Sequence, residues 1–172
     1  RRHFRNTTVN DEEGIPGHRR DGRDLIQDWL EDKKSRNLEA KYVWSKKGLS
    51  LVDLESTDYL MGLFSSSHCP YHGDLKRGHI DKANPSLSEM TEAAIKMLQR
   101  NEKGFFLFVE GARIDMAHHD TKARKSLEDT QEFAKAIQLA RDMTSDQDTL
   151  IVVTSDHSHT MTINGYPVST DW

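Results

Sequence analysis

Two short apolar runs, Phe105–Val109 and Leu150–Val153, each stop abruptly at a cluster of acids and histidines, and this repeated transition limits the possible folds more than any other feature of the chain. The first run continues through Glu110, Asp115, His118, His119 and Asp120, the second through Asp156, His157 and His159. A brief, continuously apolar run is what a parallel strand covered on both faces requires. In open α/β sheets, ligands gather just beyond the carboxyl ends of such strands. The two clusters are therefore expected at one sheet edge, as halves of one metal site.

The surrounding pattern fits that reading. Residues 1 to 24 are polar, with Pro16-Gly17 as a turn signal, and read as a surface loop. From Gly22 onward, Leu25, Ile26, Trp29 and Leu30 recur at helical spacing, with Trp29 as a core anchor. Lys41–Trp44 and Tyr59–Phe64 read as two strands joined by a loop or short helix. Ser65–Lys82 reads as a solvated loop: His68, Cys69, His72 and His79 lack the second matched pair that a structural zinc site needs. Ser86, with Glu89 three residues on, forms a capping box for a helix whose stripe is Leu87, Met90, Ala94, Met97 and Leu98. Gly104 lies just past its end. After Gly111 the chain turns helical again, with a stripe of Ala123, Leu127, Thr130, Ala134, Ile137 and Ala140 reaching Met143. Helix, strand, helix, strand in this order predicts an α/β fold with a central, largely parallel sheet and right-handed crossovers, sandwiched by helices.

Composition excludes some classes of partner. A net charge of -4 gives no electrostatic footprint for nucleic acid or an anionic membrane surface. No stretch reaches the roughly 18 to 20 apolar residues of a membrane span. Cys69 is the single cysteine and cannot form an internal disulfide. Asn6-Thr7-Thr8 is an N-glycosylation sequon. The chain opens at Arg1 without a methionine and stops at Trp172, so it is expected to be a section of a longer protein, truncated at both ends.

The clusters carry specific chemistry. Asp115 and His119 are four residues apart, and on a helical turn they share a face, so both can bind one ion. His118 fits almost as well at the i+3 position, and spacing alone leaves both histidines open. Glu110, across the Gly111 turn, suits a neighbouring hard ion. Asp156 and His157 converge only if the strand has already broken into a turn, because adjacent strand residues face opposite ways. His159 can ligate or can orient a ligating carboxylate. Two ions about 3.5 to 4 Å apart clamp the attacking and leaving oxygens of a phosphoryl group, which favours phosphate ester hydrolysis.

The segments FFLFVEGARIDMAHHD and DTLIVVTSDHSHTMTINGYP closely resemble the metal-binding segments of animal alkaline phosphatases, and DGRDLIQDWL, KYVW, YLMGLF and NPSLSEMTEAAIKML resemble intervening ones. The likeness covers nearly the whole chain and weakens around Ser65–Lys82. It implies a middle-to-late section of a single domain in a homodimeric phosphate monoesterase. Such enzymes work through a phosphoserine intermediate and are secreted or held on the outer membrane face by a lipid anchor, which would lie outside this chain. The resemblance assigns Glu110 to magnesium, Asp115 and His119 to the first of two zinc ions, Asp156 and His157 to the second, and places His159 behind the ligands. It also implies that the nucleophilic serine, a bridging aspartate and a phosphate-binding arginine lie upstream, and a last zinc-binding histidine downstream. The section alone is therefore expected to be inactive.

Met116 departs from the family, which commonly has histidine or lysine there. The family's calcium site would use the Phe64 carbonyl, but Ser65 and Asn84 stand where carboxylates belong, so no strong calcium site is expected. Rival readings are a related two-metal phosphodiesterase or sulfatase, separated by the identity of the upstream nucleophile, and a non-catalytic surface receptor that keeps the fold. Retention of all five expected ligands argues against the receptor.

Overall fold

The computed structural model describes residues 19–77, 84–162 and 165. The Asn6 sequon, His79 and the turn at Pro16-Gly17 lie outside the described residues.

Helix α1 spans Leu25–Ser35, and the Asp24 side chain caps it by accepting from the amides of Ile26 and Gln27, each at 3.1 Å. Its inward residue is Ile26, fully buried; burying such a side chain stabilises by roughly 1.5–3 kcal/mol. Trp29, expected as the anchor, is only half-buried, with Lys33 above its ring. Strand β1, Ala40–Val43, pairs in parallel with β2, Tyr59–Gly62, in the register Ala40 to Tyr59 through Val43 to Gly62. The crossover holds a short helix, α2, Lys46–Ser50, capped by Ser45, whose hydroxyl accepts from the Gly48 amide at 3.0 Å.

The second half is helical. Helix α3 is His72–Arg77, α4 is Leu87–Leu98, α5 is Arg113–His119 and α6 is Ala123–Met143. The expected capping box opens α4: Ser86 Oγ accepts from the Glu89 amide at 3.3 Å, and the Glu89 carboxylate accepts from the Ser86 amide at 2.9 Å. Helices α3, α4 and α5 all pack on α6. Among the described residues, the buried apolar ones are Ile26, Val43, Phe64, Tyr71, Ile95, Ala117 and Ala136.

Four expectations are corrected. The loop Ser65–Lys82 contains α3, whose Asp74 in the first turn and Lys76 and Arg77 in the last suit the helix dipole. The helix expected after Gly111 is two, broken at Asp120–Lys122, where Thr121 takes a φ of 56° that a β-branched residue rarely adopts. The stripe assigned to α6 is turned away from its neighbours: Leu127 is 54% exposed, while Ser126, Glu132 and Ala136 are buried. Polar partners choose that contact face, because Ser126 meets His118, Asp129 meets the His72 amide and Glu132 meets Ser88. Finally, Phe105–Val109 and Leu150–Val153 are not buried strands: Phe106 is 86% exposed and Leu150 87%. Among the described residues neither run has a ladder partner, and a strand is buried only when neighbouring strands and covering helices are present. The chain is accordingly an incomplete α/β fold, with a small parallel sheet and flanking helices.

Candidate metal centre

Helix α5 brings the first cluster together. Gly111 admits the turn that starts it, since a Cβ there would lie 3.2 Å from Ile114 Cδ1 and 3.3 Å from the Phe133 ring. Within the helix, His119 Nε2 stands 3.4 Å from Asp115 Oδ2. The second cluster reaches the same carboxylate from a bend at Asp156-His157: His159 Nε2 is 3.5 Å and His157 Nε2 3.7 Å from Asp115 Oδ1. His157 Nε2 also lies 3.4 Å from Asp156 Oδ2, so the chain has broken into a turn where convergence required it.

Hydrogen bonds at the far ring nitrogens give the four histidines different capacities, because each neutral ring carries one proton. His118 Nδ1 lies 2.8 Å from the Ile114 carbonyl and must donate to it, which leaves Nε2 as the acceptor facing Ser126 Oγ at 3.1 Å. Both of its nitrogens are occupied within the protein. His157 Nδ1 lies 2.8 Å from the Ser158 carbonyl, so it donates and its Nε2 lone pair is free. That hydrogen bond, followed by the charge of Asp156, raises the His157 pKa. His159 is the reverse: Nδ1 accepts from the Thr160 amide at 3.1 Å, so the proton sits on Nε2, the atom facing Asp115. Among the described residues, neither ring nitrogen of His119 is engaged by a hydrogen bond.

Asp115 Oδ1 is buried and without a hydrogen-bond partner. An orphaned carboxylate oxygen costs free energy in the absence of a positive partner. Asp115, His119 and His159 have donor atoms within 4.8 Å of one another; with the His159 proton on the nitrogen that faces Asp115, the Asp115 carboxylate and the His119 imidazole remain as donors of the kind zinc takes. The residues present fit such an ion.

Glu110 stands apart from this group. It is exposed and borders a pocket of about 200 Å³ that is also lined by Arg113, Met116, His72, Asp129 and Glu132. Ser65 Oγ donates to the His68 carbonyl at 2.9 Å, and Asn84 Oδ1 is buried without a hydrogen-bond partner. His72 departs from the solvated-loop reading, since its Nε2 lies 3.3 Å from Glu132 Oε2. Burial lowers its pKa. The support behind the cluster has no signature in the sequence. His118 stacks on His159 with centroids 4.8 Å apart and an 18° tilt, and Ser126 in turn holds His118; a lone serine in a helix gives no signal of that duty.

Acids and imidazoles from two separate segments thus gather at one place beside the helices of an α/β unit. A family model for alkaline phosphatase matches residues 1–171, and the chain belongs to the alkaline phosphatase family. It is 47% identical over 174 residues to the membrane-bound alkaline phosphatase of Bombyx mori, a match covering 99% of this chain and 30% of that protein. It is 46% identical over 167 residues to an alkaline phosphatase of Gadus morhua, covering 94% of this chain and 33% of that protein. The backbone also resembles Thermus thermophilus alkaline phosphatase, with a TM-score of 0.62 and 30% identity over 71% of this chain and 24% of that one. The chain thus spans about a third of the length of these curated relatives.

Proposed function

We propose that residues 1–172 are the middle-to-late section of a single alkaline phosphatase domain, and that the whole protein hydrolyses phosphate monoesters through a phosphoserine intermediate at a site of two zinc ions and one magnesium. The observation that carries this reading is the buried, unpartnered Asp115 Oδ1 surrounded by His119, His157 and His159.

In this reading Asp115 and His119 hold the first zinc, Asp156 and His157 the second, and Glu110 the magnesium. The ions would clamp the attacking and leaving oxygens of the phosphoryl group. The residues of this chain bind and orient. His157 offers Nε2 because its other nitrogen donates to Ser158. His159 faces Asp115 Oδ1 with an N–H at 3.5 Å, without a hydrogen bond between them in this structure, and so would support the carboxylate electrostatically rather than compete for the ion. His118 supports His159 from behind. Calcium has no carboxylate at Ser65 or Asn84 to bind it.

The Bombyx mori relative is named as membrane-bound. No helix among the described residues is long and apolar enough to cross a membrane. We place the whole protein, as a homodimer, in secretion or on the outer membrane face through a lipid anchor outside residues 1–172, with Asn6 as a glycosylation candidate. The test is the metal content of the intact protein and its hydrolysis of a chromogenic phosphate monoester before and after chelation. Activity that disappears with zinc and returns on its addition is expected. A zinc content near zero, or full activity in the metal-free protein, would overturn the reading.

A further inference from the structure

We propose that Tyr71 is a positioning residue for the Asp115–His119 pair, holding helix α5 by both of its ends. This rests on the metal-site reading of those two residues.

Helix α5 has seven residues and no side-chain cap at its start. A helix this short does not hold its own geometry in water. Yet Asp115 lies in its first turn and His119 is its last residue, so their separation is only as fixed as the packing around the helix. One wall is α6, on which the fully buried Ala117 packs. The other is Tyr71, 5% exposed, in the turn that leads into α3.

Tyr71 touches both termini of α5. The guanidinium carbon of Arg113, the first residue of the helix, lies 3.7 Å from the ring centroid. The hydroxyl donates to Oδ2 of Asp120, the residue that ends the helix, at 3.1 Å. The ring is a rigid group with two rotatable bonds, so it ties the two ends to one body. Lys125 and Lys122 stand 4.6 Å and 5.8 Å from the same centroid, so three cations surround one aromatic quadrupole. Lys122 also pairs with Asp120 at 2.7 Å and Lys125 with Asp74 at 2.7 Å, which ties the ring's surroundings to α3. Arg113 depends most on the ring. Its Nε is buried without a hydrogen-bond partner, and among the described residues its Nη1 hydrogen-bonds the Met116 sulfur at 3.1 Å. Removing the ring leaves that cation free to swing, two residues before Asp115.

The experiment compares the intact zinc-loaded protein with Tyr71→Leu, which loses the π face and the hydroxyl, and Tyr71→Phe, which loses the hydroxyl alone. Zinc release to a chromogenic chelator is expected to accelerate about tenfold or more in Tyr71→Leu, the scale seen when groups that orient metal ligands are removed. Tyr71→Phe should fall between, and it serves alone if the leucine variant does not fold. The visible spectrum of the cobalt-substituted protein, which reads ligand geometry, should shift in the same order. Tyr59→Leu removes a different ring, 5.0 Å from Lys33, and should change neither readout. Unchanged release and spectrum in the folded Tyr71 variants, or an equal change in Tyr59→Leu, overturns the proposal. Failure of the metal-site reading would show separately, as a wild-type protein that binds no zinc.

Discussion

His159 turns Nε2 toward Asp115 Oδ1 at 3.5 Å, while its Nδ1 accepts from the Thr160 amide. The ring therefore presents a proton, not a lone pair, to the carboxylate. His159→Ala removes the N–H that faces Asp115 and should weaken zinc binding by about 10- to 100-fold, read by equilibrium competition with a chelator. His118→Ala, which removes only the stack behind His159, should have a smaller effect. Equal zinc affinity in wild type and His159→Ala would show that Asp115 needs no such support.

Asp129 sits where a carboxyl group is disfavoured as an anion. Burial raises its pKa to about 6 despite the His72 amide 3.2 Å from its carboxylate; an unfolded aspartate titrates at about 3.9. The folded state holds the proton more tightly, so the contribution of Asp129 is most favourable below about pH 4 and is lost as pH rises through 6. Asp129→Asn keeps an acceptor for His72 and removes the buried charge. Its denaturation midpoint should exceed that of wild type at pH 8, and the two should converge near pH 4. A variant no more stable at pH 8 would mean that the carboxylate is solvated.

Local chemistry was legible in the sequence where the responsible groups are neighbours in the chain. The Ser86–Glu89 capping box, the pairing of Asp115 with His119 and the bend at Asp156-His157 all depend on residues within a few positions of one another. What escaped depends on distant groups. The buried face of α6 is set by Ser88, His72 and His118 on other helices, so an apolar stripe through Leu127 pointed the wrong way. Tyr71 lies 49 residues from Asp120, and nothing in its local sequence marks that hydrogen bond. Spacing left His118 and His119 both open, and what distinguishes them here is that the Ile114 carbonyl and the Ser126 hydroxyl engage the His118 ring.

Ser86 closes the N-terminus of α4, which carries the buried Ile95 onto α6. Its hydroxyl satisfies the Glu89 amide, and the reciprocal Glu89 bond satisfies its own. Ser86→Ala should destabilise the protein by about 1 kcal/mol, seen as a lower urea midpoint with an unchanged slope. A loss below a few tenths would imply that water replaces the cap.

The exposed runs Phe105–Val109 and Leu150–Val153 make a prediction about the chain in isolation. Phe106, Phe108, Leu150 and Val152 are 86%, 77%, 87% and 73% exposed, in segments with no strand beside them among the described residues. Such segments combine apolar side chains with open backbone groups and are templates for association. The isolated 172-residue chain should therefore enhance the fluorescence of a hydrophobic dye and self-associate, and Phe108→Lys should reduce both. In the intact protein the same substitution should instead destabilise, because there the run would lie inside a completed sheet, where an unpaired charge is costly. A monomeric, dye-silent isolated chain would contradict the first expectation. A stability unchanged by Phe108→Lys in the intact protein would contradict the second, and with it the view that the two runs are interior strands of a larger sheet.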